Sequence, residues 1–81
     1  MGQQEMEKME RLLIMAIEAA EQSQMERRSV REYFVNDQMY EAELAQRKSD
    51  KYYGYAQGIC RALTELNYQH KDIEKLFELL K

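Results

Sequence analysis

The sequence predicts an all-α fold: a long antiparallel helical hairpin followed by a short C-terminal helix. Three observations predict it. The 81 residues include no proline and only three glycines, too few breakers for the turns that a sheet needs. Apolar residues recur at alternating steps of three and four along two long segments. The phase of that repeat slips by one residue near Phe34 and Val35, which means a break between two helices or a local change of winding in one continuous helix. A chain of this length makes one domain, 1–81.

The first helix is expected over about 4–34. Met6, Met9, Leu13, Ala16, Ala20, Ser23, Arg27, Val30 and Phe34 form its stripe, and seven of these nine are apolar. Leu12, Ile14 and Ile17 widen the stripe, so this region should touch more than one neighbour. The break is placed at 35–37, where Tyr33-Phe34-Val35 runs into the N-cap residues Asn36 and Asp37. Ser23 with Glu26, and Ser29 with Glu32, spell capping boxes and mark competing breakpoints.

The second helix is expected over about 37–66, with Ala42, Ala45, Ser49, Tyr52, Ala56, Ile59, Leu63 and Leu66 as its coiled-coil seam. Asn67 suits the left-handed residue that closes a helix, with Tyr68 as the apolar residue beyond it. Asp72 should cap a third helix, about 72–80, whose face is Ile73, Leu76, Phe77 and Leu80. So short a helix must dock to be stable, and it should return beside the N-terminal end of the first. A turn near residue 36 sets Leu13 opposite Gly58 and Ala16 opposite Tyr55. Gly54, Gly58 and Ala62 then form a groove of small residues for tight packing between the helices.

Catalytic and metal chemistry find no foothold, so no enzyme activity and no cofactor are expected. One cysteine and one histidine cannot build a disulfide or a zinc set. A di-iron site needs Glu-x-x-His pairs, and no histidine stands three residues after a glutamate. A MazG-like nucleotide hydrolase would want Glu-x-x-Glu followed by Glu-x-x-Asp. Glu7 with Glu10 and Glu18 with Glu21 supply the first element, but Asp37, Asp50 and Asp72 follow Phe34, Arg47 and Gln69. These glutamates read as a solvated face. His70 has only Glu74 as an evident neighbour, and Cys60 lies beside the apolar stripe.

Charge and aromatic content point to contact instead. Net charge is −3, which speaks against sequence-independent DNA binding. Arg27, Arg28 and Arg31 precede the turn, and Arg47, Lys48 and Lys51 follow it, so folding brings both triplets into one half. Interspersed acids suggest that ion pairs lace this surface; the alternative is docking to an acidic protein or to nucleic acid. Six tyrosines occur without a tryptophan, and tyrosine and arginine are enriched where proteins meet. Tyr52, Tyr53 and Tyr55 cannot all enter one core. Tyr33, Tyr40, Tyr53, Arg28 and Arg31 are the expected partner-binding residues.

No apolar run approaches a membrane span, and the lone cysteine suits a reducing, cytoplasmic setting. The texture of the whole chain resembles the small proteins encoded by bacteriophages and other bacterial mobile elements. That resemblance rests on no specific motif and transfers no residues. Many such proteins bind and inhibit or redirect one host or defence protein. The resulting expectation is a non-enzymatic interaction protein, an adaptor or inhibitor, whose hairpins pair as a homodimer into a four-helix bundle.

Overall fold

A computed structural model of the chain describes residues 2–81. Two long helices, α1 (Gln3–Val35) and α2 (Met39–Glu65), pack antiparallel, and α3 (Ile73–Leu79) docks on the pair. At about 1.5 Å per residue, α1 spans nearly the full 52 Å length of a body only 17 × 16 Å across.

The turn lies where the phase slip placed it, but its residues serve the other helix. Asn36 closes α1 and Asp37 takes a left-handed φ of 59°. The Asp37 N–H donates to Phe34 O at 3.1 Å and the Gln38 N–H to Tyr33 O at 2.8 Å. This is the Schellman arrangement, which satisfies the last carbonyls of α1. Neither Asn36 nor Asp37 caps α2; Gln38 takes that position without a side-chain bond. The close of α2 repeats the geometry as expected. Asn67 has φ 55°, its N–H donates to Thr64 O at 3.0 Å, and the Tyr68 N–H donates to Leu63 O at 3.0 Å. Buried Tyr68 and Leu63 share the core, which is the apolar contact this motif favours.

The two capping-box serines lie inside α1. Ser29 bonds back to Met25 O at 3.2 Å within the helix. Ser23 makes the central contact of the hairpin. Its hydroxyl donates to Ser49 O at 2.8 Å, and the Ser49 hydroxyl donates to Ser23 O at 3.0 Å. A serine reaches the opposite main chain only if the helices are close. Ala16, Ala19, Ala20 and Ser23 on α1, facing Ala42, Ala45, Ser49 and Ala56 on α2, permit that approach.

The Ser23–Ser49 pair sets residue i of α1 level with residue 72 − i of α2, one residue from the expected register. The expected small-residue groove does not form between the helices. Gly54, Gly58 and Ala62 face solvent, and a Cβ added at either glycine meets nothing within 4 Å. The seam of α2 runs through Ala56 and Leu63, so these three point outward.

Larger side chains fill the open end. Met9, Leu13, Leu63, Tyr68 and Leu76 are buried together, with Ile17, Ile59, Cys60, Ile73, Leu79 and Leu80 packed around them. The third helix starts beside Glu10, where His70 sits, and ends beside Gln24, whose amide donates to Leu79 O at 3.2 Å. It therefore runs parallel to α1 and reaches its middle. Asp72 precedes α3 but makes no side-chain cap bond. The expected stripe is also incomplete: Met6, Arg27, Phe34 and Leu66 are exposed.

Candidate interaction surfaces

Three side-chain groups stand out among the described residues outside the core. The first is at the turn. Phe34 (59% exposed), Val35 (80%), Met39 (52%) and Tyr40 (70%) crowd one end of the rod. The connection is too short to cover them, and α3 stops well below. Apolar side chains gathered at an end are a contact signal, whereas single ones are ordinary.

The second group is basic. Arg27, Arg28 and Arg31 line one concavity with Gln24 and Glu32, just past the C-terminal end of α3. The expected lacing of ion pairs is sparse. Among the described residues, lysine or arginine meets a carboxylate only at Arg47–Glu43 (2.7 Å) and Lys81–Glu78 (3.0 Å). All four of those side chains are largely exposed, so the pairs add little stability.

The third group is an apolar groove between α1 and α2 on the face away from α3. Met15, Glu18, Ala19 and Gln22 line one side, and Lys51, Tyr52 and Tyr55 the other. Sequence reasoning missed this groove as a site. Its signal was present in the expectation that Tyr52, Tyr53 and Tyr55 diverge. Tyr53 turns to α3 and donates to Leu80 O at 3.0 Å; Tyr52 and Tyr55 turn to the opposite face.

The expected partner-binding residues are only partly gathered. Arg28 and Arg31 share the basic concavity. Tyr40 is open at the tip, and Tyr33 is half-buried nearby. Tyr53 lies about 20 Å down the hairpin, by the rise per residue, and its hydroxyl is spent on α3.

Among the described residues, no three His, Cys, Asp or Glu side chains gather to hold a metal ion. His70 pairs with Glu10 and not with Glu74. Its Nδ1 accepts the Asp72 N–H at 3.0 Å, which leaves Nε2 to carry the hydrogen, 3.5 Å from Glu10 Oε2. Its ring stacks on Tyr68 with centroids 5.8 Å apart. Burial, and secondarily the Glu10 carboxylate, push the Tyr68 phenol above its ordinary pKa. This cluster fastens the loop to α1. Cys60 is half-buried against the core. Among the described residues, no helix is long and apolar enough to cross a membrane.

No family model, curated protein or solved structure matches this chain. The surfaces themselves therefore carry the functional reading.

Proposed function

We propose that this chain is a non-enzymatic interaction protein, an adaptor or inhibitor that presents the turn of its hairpin to another protein. The observation that carries this reading is the cluster Phe34, Val35, Met39 and Tyr40, exposed at one end of the rod. Arg28 and Arg31 lie one to two helical turns below, as a charged flank for such a contact. A cytoplasmic location, a mobile-element origin and self-pairing of hairpins belong to the same proposal. The lone cysteine, the texture of the chain and its uncovered apolar groove support these in turn.

The test is affinity capture from the lysate of the natural host with wild type, Tyr40→Ala and Arg28→Glu side by side. A stoichiometric prey taken by wild type should be lost or weakened at least about tenfold in both variants, with helical circular dichroism unchanged. Equal capture by all three would refute the turn as the contact.

A second reading is supported by the convergence of Arg27, Arg28 and Arg31 in one concavity outside any ion pair within 4.0 Å. With Arg47, Lys48 and Lys51 it would bind nucleic acid through phosphates, against an overall charge of −3. A gel shift at low salt that fades steeply as salt rises would favour it. No shift at low salt removes it.

A further inference from the structure

We infer that the groove between α1 and α2 is covered by a second copy of this chain, with the two-fold axis parallel to the long axis of the rod. This rests on the contact-protein reading above and adds the face and the geometry.

The surface area asks for such a cover. The chain exposes 6155 Å², whereas a compact monomer of its 9.8 kDa exposes about 5,200 Å². The excess is roughly 1,000 Å², close to the ~800 Å² that each partner gives to a standard interface. The radius of gyration, 15.1 Å against about 12 Å for a compact chain of this length, has the same origin. Pairing two rods side by side removes that excess; pairing them end to end does not.

The groove is complementary to itself in one arrangement. The Ser23–Ser49 register puts Lys51, Tyr52 and Tyr55 at the heights of residues 21, 20 and 17 of α1. A two-fold axis along the rod keeps every height and stacks α1 of one copy on α2 of the other. Ala19 then receives Tyr52 of the second copy, about 1.5 Å apart in height. Met15 meets Tyr55, about 3 Å apart. Glu18 and Gln22 bracket Lys51, so each copy sets a carboxylate against the other's ammonium. A small residue faces a large one, and opposite charges face each other, twice over by symmetry. A two-fold axis across the groove would instead stack α1 on α1 and bring Glu18 against Glu18. In the favoured arrangement every helix is antiparallel to both neighbours, as in four-helix bundles. No residue of α3 lines the groove, so α3 does not obstruct it.

Sedimentation equilibrium on the full chain, from low micromolar to near-millimolar, tests the proposal. Wild type should show a monomer–dimer equilibrium. Tyr55→Asp should weaken it at least about tenfold with helicity intact. Glu18→Lys should weaken it about tenfold, and adding Lys51→Glu should restore it. The charge exchange is the decisive set if Tyr55→Asp unfolds, since Glu18 and Lys51 are exposed. A monomer throughout the range overturns the proposal. So does a dimer that Glu18→Lys leaves unchanged, because its contact then lies elsewhere. Tyr40→Ala should leave the dimer intact, so failure of the turn as a partner contact is read separately.

Discussion

Asp37 holds a left-handed backbone at φ 59°, where an L side chain is disfavoured and glycine is not. Its carboxylate meets no donor among the described residues that would offset the cost, so Asp37→Gly should stabilise the protein by about 1 kcal/mol. For a domain of this size that is a rise of about 4–8 °C in Tm, read by thermal circular dichroism. Asn67 holds the same conformation at φ 55°, and asparagine bears it better than most residues. Tyr68 gives the pH-dependent counterpart. Its phenol is pushed above the ordinary value, by burial first and then by Glu10. A raised folded-state pKa contributes stability that is whole below the unfolded-state value of about 10 and is lost as pH rises through the folded-state value. Urea midpoints measured across alkaline pH should fall with this onset in wild type. Tyr68→Phe should lack that component.

At the scale of elements, α3 has seven residues and cannot be helical by itself. Its place depends on Leu76, which is fully buried among Leu13, Leu63 and Tyr68, and on the tether from Tyr53 to Leu80 O. Leu76→Ala should cost about 2–5 kcal/mol and release α3 from the hairpin. Amide exchange resolved by residue would show protection lost over 73–80 while the Ser23–Ser49 region keeps more of its own. Retention of α3 protection in that variant would mean that Ile73, Leu79 and Leu80 hold it without Leu76. The hairpin has another basis. Its seam is alanine and serine, so the apolar area buried per residue is low, and close approach with reciprocal serine bonds takes the place of bulk.

For the whole molecule, these two kinds of packing divide the rod. The open half has three helices around leucine, methionine and tyrosine, and the turn half has two helices around Ala42, Ala45 and a half-buried Val30. Amides over about 27–46 should therefore exchange faster than those over about 9–23 and 49–63, through local opening of the turn half. Uniform protection along α1 would mean that α3 adds no local stability. The same asymmetry leaves the apolar tip and the basic concavity beyond the reach of α3 and exposed.

Fold and site were legible to different depths. The heptad stripes, the slip near Val35 and the Asn67-Tyr68 close are local patterns, and local backbone physics reads them directly. Other features were decided by a neighbour. The competing breakpoints at Ser23 and Ser29 lie inside α1, where Ser23 meets Ser49 across the seam and Ser29 bonds back to Met25 O. Gly54, Gly58 and Ala62 looked like a packing groove, but they stand off the buried Ala56–Leu63 seam of α2 and face solvent. Tyr53 stands among the expected partner contacts, and its hydroxyl donates to Leu80 O. The sequence by itself determined that this chain is two long helices and a short one, because periodicity and caps act within a few residues. Only the tertiary structure decided which small residues meet, which face α3 covers and which groove stays open, because those depend on register between segments far apart in the chain.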